Sequence, residues 1–278
     1  MNVIGLGNPG CKVASLFEKY SQYSVYYCDV DIEGENSVSI QSFNNAEEVE
    51  KAEINFEGLK ELSGEETFFI LAGSGKTSMA SLRILETIKD RQIIVVYIRP
   101  NLALLNEEER LLERMTYGVL QEYTRSGIFK RIILVENTKI EEIIGETSLV
   151  EHFNVINKTI ATTLHMLNYL MHTPHIMGNL LQPTEINRIC TVGMFDIKTG
   201  KEQPFFEMGH PREKHLYYLL NNKDLTENRN ILKHINTHVE ELKKKCKSVS
   251  FAVVESSYEE SYAYTISYTN MVQGFNYC

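Results

Sequence analysis

The chain has 278 residues, 43% of them hydrophobic, enough for a full core in one large domain or in one domain with a smaller partner. A formal net charge of −9 argues against a broad nucleic-acid surface as the main interaction. The five cysteines (Cys11, Cys28, Cys190, Cys246, Cys278) are scattered and contain no CxxC pair, so free thiols in a reducing cytoplasm are expected, not a disulfide frame or a zinc site. No signal peptide is visible, and no run approaches the roughly 18 apolar residues of a membrane span. The expected location is cytoplasmic.

In chain order, residues 2–6 (NVIGL) read as a buried strand broken by Gly7-Asn8-Pro9-Gly10. Residues 11–20 have helical spacing, 24–30 (SVYYCDV) form a second strand ending in acids, and 37–43 are a short extra strand. An acidic, weakly helical stretch covers 46–62. Residues 67–73 (TFFILAG) are a strand, and 78–90 a helix with Met79, Leu82, Leu85 and Ile88 on one face. Residues 92–100 are a strand ending at a proline, 106–127 a long helix capped by Asn106, and 131–137 another strand. A long helix, 147–173, is apolar around much of its circumference and is expected between two layers. After it the pattern changes. Residues 188–197 read as a strand, 211–222 and 227–246 as helices, and 248–256 with 262–270 as an antiparallel hairpin with one wet face.

Several early strands are continuous apolar runs, as in strands covered on both faces. The expected fold class is therefore α/β: a Rossmann-like, doubly wound, mostly parallel sheet, a long central helix and a smaller α+β C-terminal domain. The division is 1–146 for the doubly wound part, 147–173 for the central helix and 174–278 for the smaller C-terminal domain. The C-terminal strand ends carry Gly5–Gly10, Asp29/Asp31, Gly73–Thr77, Pro100 and Asn137. Glycines, acids and an Asn along one edge suit a nucleotide.

The stretch FFILAGSGKTSMASL invites a Walker reading. The G-x-x-x-x-G-K-[ST] pattern needs a glycine at position 70, and Ile70 stands there inside the strand. That leaves two readings. One is a phosphate held by N–H groups of the turn and the next helix; the other is an ordinary strand-to-helix turn.

Across nearly the full length the chain resembles the tubulin/FtsZ superfamily, and in size and divergence a phage- or plasmid-type (TubZ/PhuZ-like) member. GLGNPGCKVASLF resembles the first glycine loop, with Gly5, Gly7 and Gly10 in place and Cys11 following. Asn8-Pro9 stands where further glycines are usual, and Lys12 where Asn is. YYCDVDIEG resembles the strand and loop that place acids near the nucleotide metal, at Asp29 and Asp31. FILAGSGKTSMASL resembles the signature loop in eroded form, with Gly73, Ser74, Gly75, Lys76 and Thr77. The stretch from Pro100 to Arg110 resembles the next loop, with Glu107 near the ribose-contacting acid and Arg110 near a phosphate-side arginine. ILVENTKIEEII gives Asn137 for the guanine or ribose. Phe153 and Asn157, four apart on one helix face, fit the ring-stacking Phe and the base-reading Asn/Asp. GNLLQPTEINR resembles the loop that inserts acids into a neighbour's nucleotide site, with Glu185 on the second acid and Gln182 where Asp is usual.

The resemblance implies a GTP-binding protein that assembles head-to-tail into filaments, with GTP hydrolysis completed by Glu185 of the next subunit. GTP/GDP and Mg2+ are the implied ligands, the metal near Asp29 and Asp31. Gln182 and the eroded glycine loop imply hydrolysis that is slow or lost. The implied partner is the chain itself, with an adaptor protein as a further class, no membrane span and no direct nucleic-acid surface. Two other readings stand beside this one. A degenerate tubulin-fold protein with weak or no nucleotide binding would act as an interaction module. A Rossmann-type enzyme with a dinucleotide or methyl donor would use Gly5-Leu6-Gly7. Structural roles also suit single residues: Phe153 as core, Asn137 as a turn cap, Glu185 as a helix N-terminal acid and Asp29/Asp31 as a solvated turn.

Overall fold

A computed structural model describes residues 1–43, 45–60 and 62–274; Glu61 and Cys278 lie outside the described residues. The first half begins with β1 (Asn2–Leu6), α1 (Gly7–Ser15), β2 (Ser24–Val30), β3 (Ser37–Ile40) and the short helices α2 (Ala46–Lys51) and α3 (Glu57–Lys60). It continues with β4 (Glu66–Ala72), a 3-10 turn (Lys76–Ala80), α4 (Ser81–Thr87), β5 (Gln92–Arg99), a second 3-10 turn (Leu102–Leu104), α5 (Glu107–Arg125) and β6 (Arg131–Glu136). The second half comprises α6 (Asn137–Ile144), α7 (His152–His172), β7 (Met177–Gly178), β8 (Ile189–Phe195), β9 (Glu202–Pro204), β10 (Glu213–Asn221), α8 (Asn222–Glu227), α9 (Ile231–Lys243), β11 (Ser248–Ser256) and β12 (Tyr262–Thr269).

Among the described residues, all of these strands join one sheet in the order β3-β2-β1-β4-β5-β6-β8-β12-β10-β11-β7, with β9 added to β8. From β3 to β6 every neighbouring pair is parallel. The strand order reverses between β1 and β4, and the two strands send their following helices to opposite faces. Along β5, Ile94, Val96 and Ile98 join the core under α1 and α7, while Ile93, Val95 and Tyr97 join the core under α4 and α5. A strand buried on both sides is apolar at every position, which explains the continuous runs. A third cluster packs α9 on Leu216, Tyr218 and Leu220 of β10.

Four expectations change. Residues 211–222 are not a helix: Glu213–Asn221 is a strand, buried along nearly its whole length. Leu216, Tyr218 and Leu220 face α9 while Tyr217 and Leu219 face the α7 side, so the LYYLL run belongs to a two-sided strand. The hairpin is also absent. β10 lies between β11 and β12, parallel to the first and antiparallel to the second, and β12 is buried along almost all its length instead of wet on one face. The helix after β4 starts late, because Lys76–Ala80 is a 3-10 turn. That shifts the buried face to Ile84, Leu85 and Ile88 and leaves Leu82 exposed. Lastly, α1 begins at Gly7, directly at the end of β1.

Candidate nucleotide site

The head edge of the sheet, where the parallel strands end, brings the two glycine turns together at the reversal of strand order. An open α/β sheet binds ligands at this point. Gly7 has φ +67°, and a Cβ there would lie 2.4 Å from Thr77 Oγ1. Only glycine combines that backbone with that contact. Gly5 and Gly10 seat α1 on the sheet: a Cβ on Gly10 would lie 2.4 Å from the Ile70 carbonyl oxygen. The start of α1 has no side-chain cap and no acid in its first turn. Its N–H groups, less the one Pro9 lacks, therefore face the crevice with partial positive charge. On the opposite side, the Ser78 hydroxyl donates to the Gly73 carbonyl at 3.0 Å and the Ser78 N–H to the Gly75 carbonyl at 2.8 Å, closing the second turn. Ser74 is half-buried within this turn, and Gly75 and Lys76 are exposed on it.

Cys11 donates its thiol to the Gly5 carbonyl at 3.3 Å. Burial, with Asp29 nearby, pushes it up to about 12, so it packs as a neutral group. Lys12 is exposed and lines, with Cys11 and residues 32–37, a cavity of about 620 Å³ beside the first turn. Asp29 accepts the Val30 N–H at 2.8 Å, and Asp31 is exposed in a left-handed conformation, φ 55°. Among the described residues no three His, Cys, Asp or Glu side chains converge as metal ligands. A magnesium ion here would therefore take mostly phosphate and water oxygens, with Asp29 or Asp31 at its margin.

Glu107 opens α5 and Arg110 follows one turn on; the Arg110 Nε donates to the Leu102 carbonyl at 3.2 Å. Both are exposed beyond the end of β5. Asn137 starts α6 at the end of β6, and its buried Oδ1 has no hydrogen-bond partner. A buried acceptor left unpaired costs about 1–3 kcal/mol. Phe153 is 60% exposed in the first turn of α7, with the half-buried Asn157 one turn below. A phenyl ring that open is not core.

Glu185 and Gln182 lie elsewhere. The loop carrying them leads into β8, where Ile189 pairs in parallel with Ile132 near the start of β6. Asn137 lies five residues further along, about 17 Å away at 3.3 Å per residue. The loop therefore sits on the opposite, tail edge of the sheet. Both side chains are exposed; Glu185 stands in a turn and not at a helix start, and Gln182 in the irregular stretch before it. Glu213, at the start of β10, anchors the loop: its carboxylate accepts the Thr184 N–H at 2.9 Å, the Thr184 hydroxyl, and Asn187 Nδ2 at 2.9 Å.

Glu213 was invisible to sequence reasoning because it fell in the segment read as a helix. Behind Gly73 lies a second missed group. Tyr97 Oη donates to Glu113 Oε1 at 3.2 Å, Arg99 Nε lies 3.3 Å from the same oxygen, and the Arg99 guanidinium covers the Tyr117 ring at 5.0 Å. Glu113 is 1% exposed, and burial pushes its carboxyl above the usual range against the pull of Arg99. Its position three and four residues before the buried Thr116 and Tyr117 put it on the apolar face of α5, a signal readable in the sequence.

No protein-family model and no curated protein matches the sequence. Solved structures do. An FtsZ dimer of M. jannaschii, empty, is 12% identical with a TM-score of 0.71, over 96% of this chain and 87% of that one. A GTPγS-form protofilament of Bacillus thuringiensis serovar israelensis TubZ is 17% identical with a TM-score of 0.71, over 98% and 87%. The GTPγS-bound protofilament of Haloferax volcanii CetZ2 is 13% identical with a TM-score of 0.68, over 96% and 92%. Agreement at that level over almost the whole of each chain means that this protein has the tubulin/FtsZ fold.

Proposed function

We propose that the chain binds a guanine nucleotide in the head-edge crevice and assembles head-to-tail, Glu185 of one copy completing the hydrolytic site of the next. The observation that carries the reading is the division of the site. The cradle is on one edge of the sheet and the acid on the other, too far apart to meet within one molecule. The uncapped start of α1 and the turn at residues 73–78 supply phosphate donors, with Lys12 and Lys76 adding charge. Phe153 offers a stacking face, and Asn137 and Asn157 offer hydrogen bonds to the base or ribose. Glu185 would position the attacking water; phosphoryl transfer asks for little covalent chemistry beyond that. A head-to-tail contact is heterologous and gives an open filament. Apolar side chains support such a contact at both ends: Leu104, Leu149, Val150 and Phe153 are exposed on the head edge, Leu181 and Ile186 on the tail loop.

In this reading residues 1–146 hold the nucleotide, 147–173 link the two edges, and 174–278 present the acid. No described helix is long and apolar enough to cross a membrane, and the proposed setting is the cytoplasm, with any adaptor a secondary partner. The experiment combines fluorescent GTP binding with and without magnesium, phosphate release, and light scattering. Glu185→Ala is expected to bind GTP as tightly as the parent, lose hydrolysis and form longer-lived filaments. Normal hydrolysis by that variant would refute the role. Weak or absent GTP binding by the parent, with no scattering, would favour the degenerate module, the reading that Gln182 and the missing glycines support.

A further inference from the structure

The glycine turn after β4 is shaped from behind by a buried polar group that takes no part in the proposed chemistry. The Tyr97 hydroxyl fills the place a side chain at Gly73 would take, and its oxygen and two of its ring carbons are the atoms nearest to that place. The turn therefore sits directly on the tyrosine. From inside, it is closed by Ser78, 2% exposed, whose hydroxyl and N–H both bond back to it. Its far end meets the first glycine turn, where Thr77 Oγ1 lies against Gly7. The position of Gly73 thus bears on the shape of the crevice between the two turns.

Tyr97 is itself held from α5. Its hydroxyl donates to Glu113, whose backbone carbonyl lies at 3.3 Å and whose Oε1 lies at 3.2 Å. Arg99, two residues on along β5 and so on the same face, brings its Nε to 3.3 Å from that carboxylate oxygen. All three side chains are buried. A phenol, a carboxylate and a guanidinium gathered in the interior are a costly way to fill space, and an apolar cluster of equal volume is often no less stable. What such a group supplies is one fixed geometry. The part of the candidate site that this geometry touches is Gly73.

We infer that Tyr97, fixed by Glu113 and Arg99, is the positioning residue of the phosphate turn. This role rests on the reading of the crevice as a nucleotide site. The hydroxyl meets no ligand. It fixes where Gly73 lies, and with it the place at which the N–H groups of residues 74–76 meet a phosphate. Its reach ends at the phosphates. The groups offered to the base, Asn137 and Phe153, stand on α6 and α7, on the face of the sheet opposite to α5.

The test compares GTP, GDP and guanosine by competition against a fluorescent GTP analogue, with melting temperatures as a control on the fold. Tyr97→Phe keeps the ring and its packing on Tyr117 and removes only the hydroxyl. It is expected to bind GTP and GDP about tenfold more weakly, the worth of one hydrogen bond to a charged group, and to bind guanosine as the parent does. The ratio of GDP to guanosine affinity does not depend on how much of a variant is folded, so instability alone cannot produce this result. Tyr117→Phe removes another buried hydroxyl of the cluster and is expected to leave the ratio unchanged. A parental ratio in Tyr97→Phe, or an equal fall in Tyr117→Phe, would overturn the positioning role and leave the nucleotide site standing. A parent that binds none of the three compounds would refute the nucleotide site and the positioning role together.

Discussion

A Cβ added at Gly73 would lie 1.7 Å from Tyr97 Oη and 2.5 Å from its ring carbon. The tyrosine cannot easily move, since its hydroxyl is tied to Glu113 and its ring packs on Tyr117 at 5.3 Å. One methyl group at position 73 therefore has to displace the turn. Gly73→Ala is expected to cost about 1–3 kcal/mol, the usual penalty of overpacking, measured by urea unfolding. Tyr97→Phe removes the oxygen nearest to the added methyl, so the double variant should be less destabilised than the sum of the singles. Additive losses would mean that the turn is not pressed against this ring. Sequence reasoning found Gly73 through its place after the strand. It had no access to Tyr97, because the contact joins two strands whose pairing the chain order alone does not state.

At the scale of elements, legibility followed unbroken apolar runs closed off by turn residues. β1, β4, β5 and β6 were readable because their apolar runs are short and bounded by turn residues. The strand β10 was not. A nine-residue run of Glu, Lys, His and then LYYLL has polar groups where a strand is expected to be apolar. Those groups are paired inside the fold: Glu213 with Thr184 and Asn187, and Lys214 with Glu202. Nothing local announces such partners, and misreading β10 also turned its two neighbours into a false hairpin. Of the candidate site, the glycine turns, Asn137, Phe153 and Glu185 could be named from their places in the chain, while Glu213 and the Tyr97–Glu113 pair depended on tertiary contacts.

One buried group on β10 gives the element a pH dependence. His215 is 4% exposed against Tyr268, and burial lowers its pKa to about 4, with Glu213 opposing the shift and Arg131 adding to it. The unfolded chain protonates this ring near pH 6.5. Between pH 6.5 and 4 the unfolded state therefore binds more protons, and stability falls as pH falls through that window. His215→Phe keeps the ring without the titration. The parent's melting temperature should drop relative to the variant on acidification from pH 7 to pH 4.5. A constant difference across that range would show that His215 titrates normally.

At the scale of the molecule the decisive feature is that the proposed cradle and the proposed acid occupy opposite edges of one continuous sheet, joined through the pairing of β6 with β8. Two defects in different copies should then repair one another. Asn137→Leu removes the unpaired buried acceptor and is expected to leave stability unchanged or slightly raised. It should also lose at least about tenfold in GTP affinity, since the donor it would have met on the nucleotide is left unpaired. Glu185→Ala keeps the cradle and lacks the acid. Neither variant alone should release phosphate at the parental rate. In a mixture, the intact Glu185 of an Asn137→Leu copy can sit over the nucleotide of a Glu185→Ala copy, so phosphate release should reappear and vary with the mixing ratio. A site contained in one molecule could not be restored in this way, and a mixture as inactive as its components would return the acid to a purely structural role on its loop.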